Sequence, residues 1–206
     1  MTHFTVGIIV PQGIKHVESF IGGLMEPYFE HDDAPPYVCY SLEQAAADLA
    51  SAIHRLELII ERNEPFYDIA KCRDILARLR TTTAQEKYDE YIKYVEDYDD
   101  QDRPISTYNP DSKWDWYVIG GRWDGWINDK EASSESVGDN SATTEEAIAR
   151  NKIPHAIVTP LGEWLERGQM GWFATLITEN EHWDSDGKAI LARYPGHRIV
   201  IVDAHI

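Results

Sequence analysis

HFTVGIIV, residues 3 to 10, is the stretch on which the fold turns. β-Branched and aromatic residues dominate it and Pro11 ends it, the pattern of a buried strand near the N-terminus. The chain closes on a second run of this kind, HRIVIVDAHI at 197 to 206. Terminal strands of this type are expected to be neighbours in one sheet. Alternate side chains of a strand share a face, so His3 sits with Thr5 and Asp203 with His205. The polar clusters HFT and DAH then meet, and His3 and His205 are expected to line one cavity.

Working inward, IGGLMEPYFEHDDAPPY at 21 to 37 reads as an irregular connection punctuated by Gly and Pro. Three helices follow. Ser41 and Gln44 spell a capping box, and Leu42, Ala45, Ala46, Leu49, Ile53, Leu56 and Ile60 trace an apolar stripe to about Arg62. Pro65 suits the first turn of a second helix carrying Phe66, Ile69, Cys72, Ile75, Leu76 and Leu79. Thr83 and Glu86 cap a third, with Tyr88, Tyr91, Ile92 and Val95 on one side. The acidic run EDYDDQD after it reads as a solvated loop.

The pattern changes at NPDSKWDWYVIGGRWDGWI, 109 to 127, which holds four Trp, one Tyr, three Gly and one Arg. WDWYVI and RWDGWI flank Gly120-Gly121, so an antiparallel hairpin is expected, with Trp114 and Trp116 on one face and Asp115 and Tyr117 on the other. The polar, Ser-rich segment at about 128–143 reads as a mobile loop before a short helix capped by Thr143 and Glu146. HAIVTP, EWLERG and GWFATLI read as a three-strand meander, and a helix near 180 to 193 precedes the closing strand. The fold class is α+β: a mostly antiparallel sheet containing the N- and C-terminal strands, with a helical insertion at about 41–98 after strand 1. The length of 206 residues is taken as a single domain, 1–206.

With 36 acidic against 19 basic residues the formal charge is −17, which excludes a broad phosphate-backbone interface and so bulk nucleic acid. A small nucleotide held by local groups stays open, as does a basic protein partner. Cys39 and Cys72 are the two cysteines, and a reduced, cytoplasmic protein is expected. MTHFTVGIIV lacks the basic start of a signal peptide, and no apolar run approaches the ~20 residues of a membrane span, so neither secretion nor a membrane partner is expected.

Indoles stack either into a core or along a cleft, and both readings stay open for Trp114, Trp116 and Trp172. Gly-Gly-Arg favours the cleft: glycines permit close backbone approach, and the fork of Arg122 suits phosphate. The bland alternative for Arg122 is an ion pair with Asp115 across the hairpin. Flat aromatic faces beside one arginine suit a nucleobase and its phosphate.

HFTV resembles the H-hydrophobic-T/S-hydrophobic signature of the two-histidine phosphoesterases, in which paired histidines act as general acid and base and the hydroxyl holds a phosphate oxygen. That resemblance implies His3 and Thr5 as catalytic residues, and the expected neighbouring of the terminal strands adds His205 as the second histidine. HAIV at 155 and HRIV at 197 lack the hydroxyl, so the second copy of the signature is missing. A structural histidine at a strand end is the plain alternative. His3, Asp203 and His205 are also types that hold zinc or manganese, but no close Cys/His spacing or H-E-x-x-H pattern accompanies them. Metal-free acid–base chemistry therefore ranks first, with no metal and no cofactor.

MTHFTVGIIV, LMEPYFE at 24 to 30, NPDSKWDWYVIGGRWDG at 109 to 125, GEWLERGQMGWFATL at 162 to 176 and IVIVDAHI together resemble a set of phage and prophage proteins. Those open with M-S/T-H-F-T-V, carry K-W-D-W-Y-x-x-G-G-R-W and end in V-D-C-H-I. The matching positions are His3, Thr5, Pro27, Trp114, Asp115, Trp116, Gly120, Gly121, Arg122, Trp123, Gly171, Trp172, Asp203 and His205. Ala204 stands where the family has Cys, which argues against thiol chemistry there, and Phe173 replaces a frequent second Trp.

The resemblance implies a phage setting, in which small proteins counter host defences that signal through cyclic nucleotides. The leading expectation is a phosphodiesterase for a small cyclic nucleotide, with Trp114, Asp115, Trp116, Arg122, Trp172 and Asp203 as ligand-binding residues. A nucleotide-sequestering protein and an acidic protein blocking a basic host defence protein are the alternatives. A homo-oligomer is left open.

Overall fold

The computed structural model describes residues 2–31, 33–130, 136–168 and 179–206. The chain divides into two compact units where length pointed to one domain: residues 1–32 with 109–206, and residues 33–108.

The first unit is built on a sheet that contains both chain ends. Strand β1 (His3–Val10) pairs antiparallel with β8 (Arg198–His205) along its whole length. The strand order is β4-β8-β1-β6-β7, where β4 is Trp116–Ile119, β6 Ala156–Val158 and β7 Trp164–Glu166; β5 (Ser141–Thr143) also pairs with β8. Only β1 and β6 run parallel among these pairs. The fold is α+β, with a mostly antiparallel sheet.

Both sheet faces are apolar because alternate residues of β1 and β8 feed different clusters. Phe4, Val6, Ile8, Val200, Val202 and Ala204 pack with Ile21 and Met25 of helix α1 (Val17–Met25). Ile9, Ile199 and Ile201 pack with Ala147 of α5 (Thr144–Ala149) and with Trp183, Ile190 and Leu191 of α6 (Trp183–Ala192). His3, Thr5, Asp203 and His205 continue this second face toward the sheet end, so the same face changes from apolar to polar along the strands.

The 33–108 unit joins β2 (Asp33–Val38) and β3 (Ile105–Tyr108), antiparallel, to α2 (Leu42–Arg62), α3 (Ile69–Leu79) and α4 (Ala84–Ile92). Thr83 and Glu86 make the expected capping box, and Ser41 accepts the Gln44 N–H. Tyr40 stacks on Tyr91 at 4.0 Å, and burial together with a bond to Asp48 pushes its hydroxyl up to about 12. Asp99 closes the acidic loop by accepting the backbone N–H groups of Gln101 and Arg103.

Several local expectations are corrected. Residues 17–25 form α1 despite Gly22-Gly23, because burying Ile21 and Met25 outweighs the low helix propensity of glycine. The second inserted helix starts at Ile69, since the carboxylate of Asp68 caps Lys71 N–H, and Phe66 is exposed. Leu42 and Ala46 of the apolar stripe face solvent. Positive φ at Gly120, Gly121 and Gly125 turns the chain into two short 3₁₀ turns, so RWDGWI makes no hairpin and β4 pairs with β8 instead. Within the segment expected to be mobile, Asn140 is fully buried and residues 141–143 are strand β5. The third strand of the meander, GWFATLI, lies outside the described residues, as do Gly171, Trp172 and Phe173.

Candidate functional site

The antiparallel register sets Trp116 of β4 opposite His205 of β8, and His205 opposite His3 of β1. Thr2 and Ile206 exchange both backbone hydrogen bonds, which makes the adjacent His3–His205 pair a non-hydrogen-bonded one, where the strands come closest. The two imidazoles lie 5.1 Å apart, centroid to centroid, at 74°. They are brought together by register alone.

Each ring has a carboxylate behind it. His3 Nδ1 lies 3.0 Å from Asp203 Oδ1 and 3.2 Å from Oδ2. His205 Nδ1 lies 2.6 Å from Asp115 Oδ1, and the Asp115 backbone N–H also donates to the His205 carbonyl. A carboxylate at Nδ1 holds the proton there and leaves Nε2 as the reacting atom. Asp203 is buried and accepts the Arg122 backbone N–H as well, at 3.0 Å. Gly121 makes that approach possible: with φ +56, a Cβ there would meet Asp203 Cβ at 2.6 Å.

Trp116 stacks on His205 at 5.1 Å and 15°, and meets His3 edge-on at 5.3 Å. Trp114 does not share this face. A bend at Asp115 breaks the strand alternation, so Trp114 is buried beside Phe29 and Tyr117 and donates its indole N–H to Met25 O. The alternative Arg122–Asp115 pair does not form: Asp115 pairs with His205, and Arg122 is exposed. Thr5 Oγ1 accepts the His155 backbone N–H at 2.9 Å, so the hydroxyl tethers β6 to β1. Among the described residues no group of three or more His, Cys, Asp or Glu side chains has metal-binding geometry.

Two residues escaped the sequence reading. Asn140 accepts the Gly125 N–H and donates to Asp124, pinning the glycine turns that carry Arg122; only its place in the turn-like GDNS hints at this. His155 touches Phe4 edge-on and Gly168 O, and burial pushes its imidazole below the ordinary histidine value. The folded state then binds fewer protons than the unfolded chain, so this stabilisation is complete above about pH 6.5 and falls as pH drops below it. Denaturant midpoints compared between about pH 7.5 and 5.5 should decline, and His155→Asn should flatten the decline.

A cavity of ≈ 640 Å³ lies at the other end of β1 and β8, among Val10, Gln12, Gly13, Thr143, His197 and Arg198. Neither His3 nor His205 lines it. No helix of the described residues is long and apolar enough to cross a membrane.

The fold and site define an α+β protein with two carboxylate-backed histidines facing each other across neighbouring strands. Comparison with protein-family models, with curated proteins and with solved structures finds no match.

Proposed function

We propose that this protein is a metal-independent phosphodiesterase acting on a small cyclic nucleotide, in the phage counter-defence setting that its sequence resemblance implies. One observation carries the reading: His3 and His205 face each other with both Nδ1 atoms held by carboxylates and neither Nε2 hydrogen-bonded among the described residues. Hydrolysis needs a base to take a proton from the attacking water and an acid to protonate the leaving oxygen as the P–O bond breaks. Two facing imidazoles, one as base and one as acid, supply both.

The test is incubation with a panel of cyclic nucleotides followed by heating to release whatever is bound. Conversion supports catalysis. Recovery of intact nucleotide supports the second reading, a protein that sequesters its ligand, which is favoured by the enclosure of His205 Nε2.

Arg122 is the phosphate-binding residue in either case. Its side chain is exposed and its backbone, not its guanidinium, holds Asp203. Arg122→Lys should therefore weaken nucleotide binding and leave the melting temperature nearly unchanged, because lysine keeps the charge and loses the planar fork. Equal losses of binding and melting temperature would mark the side chain as structural.

A further inference from the structure

We infer that Trp116 is a movable cover over His205, and that the substrate reaches the enclosed Nε2 by displacing the indole. The inference deepens the catalytic reading of this site and rests on it.

The starting observation is an orphan atom. His205 is 5% exposed, and its Nε2 is buried with no hydrogen-bond partner among the described residues. Buried polar groups in folded proteins are nearly always satisfied, and one left unpaired carries the full desolvation penalty. A group that enters and hydrogen-bonds this nitrogen recovers that penalty. The resting arrangement is therefore biased toward accepting a ligand at this atom.

Among the described residues, the side chain stacked on the ring is that of Trp116. The indole of Trp116 lies nearly parallel to the His205 imidazole and touches His3 with its ring at 80°. It is 42% exposed, at the first position of β4, an end strand in the sheet order, directly after the bend at Asp115. Rotation about its χ1 carries the ring toward solvent. The neighbouring aromatics lack this freedom: Trp114 is buried and hydrogen-bonded to Met25, and Tyr117 packs against the core. With the indole in place it lies on His205, and with it turned out the His205 ring loses this cover beside His3.

Diethyl pyrocarbonate, which carbethoxylates accessible neutral imidazoles, reads the cover with no substrate present. His16 and His182 are exposed and act as fast references, and His155, partly buried elsewhere in the same unit, reports general loosening. Site-resolved mass spectrometry should show wild-type His205 reacting about 10-fold or more slowly than His16, because reaction requires a minor open state. Trp116→Ala should raise the His205 rate by about 10-fold with His155 unchanged, and Trp116→Phe should stay within about twofold of wild type.

An unchanged His205 rate in Trp116→Ala overturns the cover, and so does a rise matched at His155. Should that variant not fold, Trp116→Leu is read in the same way, and wild-type protein alone overturns the idea if His205 reacts as fast as His16. Turnover measured in parallel separates the two proposals. Uncovering without conversion of any cyclic nucleotide keeps the cover and removes the phosphodiesterase; conversion without uncovering does the reverse.

Discussion

His3→Ala and His205→Ala are each expected to lower cyclic-nucleotide turnover by roughly 10²- to 10⁴-fold, the usual contribution of a positioned proton-transfer group. Binding should be largely kept, because Arg122 remains. The double variant should be little worse than the worse single one, since groups that act as a unit are not additive.

Both substitutions carry a structural cost. His3→Ala strips Oδ1 of the buried Asp203 of its 3.0 Å partner and leaves the carboxylate with the Arg122 backbone N–H on Oδ2. His205→Ala empties a buried position and strips Asp115, whose side chain is 27% exposed, of its 2.6 Å partner, so a lower melting temperature is expected for both variants. Initial rates at saturating nucleotide, binding by calorimetry and melting temperature for each variant separate these effects. Wild-type protein that converts no nucleotide in the panel, while both histidine variants still bind one tightly, would replace the enzyme by a sequestering protein.

Gly121→Ala is expected to lose stability and activity together. The added Cβ would lie 2.6 Å from Asp203 Cβ and 2.7 Å from both Asp203 Oδ2 and Val118 Cγ1, at a φ of +56 that L residues rarely adopt. The left-handed conformation costs ~1–2 kcal/mol and overpacking a further ~1–3 kcal/mol, so a loss of roughly 2 to 5 kcal/mol is expected on adding the two. That is a large part of the ~5–15 kcal/mol by which a typical domain is stable.

Because the displaced carboxylate is the one that orients His3, activity should fall even in the fraction that stays folded. Gly23→Ala is the matched control: it lies in α1 with nothing within 4 Å of its Cβ position, and should gain ~0.5–1 kcal/mol from helix propensity. Denaturant midpoints for the two variants should move in opposite directions. If Gly121→Ala matches wild-type stability, the tight packing of the glycine turn against Asp203 is not a real constraint.

Much of the scaffold is written locally. HFTVGIIV and the closing strand are recognisable from β-branched runs, and Thr83 with Glu86 or Thr143 with Glu146 announce helix starts, because capping depends on residues three apart. The readings that failed were those in which a local preference met a stronger distant one. Gly120-Gly121 carries the signal of a hairpin turn, yet β8 offers β4 a long apolar partner and the following Trp123 and Trp126 pack against the second core cluster. Gly22-Gly23 looks like a helix breaker, yet Ile21 and Met25 are fully buried.

The sequence by itself determined the α+β class, the strand character of both chain ends, the shared face of His3 with Thr5 and of Asp203 with His205, and a formal net charge of −17. Only the tertiary structure decided which carboxylate stands behind which imidazole. Asp203 serves His3 across 200 positions, and Asp115 serves His205 across 90. It also decided that Trp116 stacks on His205 while Trp114 is given to the core. The physical reason is register: side-chain periodicity settles which residues share a face of one strand, but which residues meet across strands depends on pairings and bends that are fixed by packing far away along the chain.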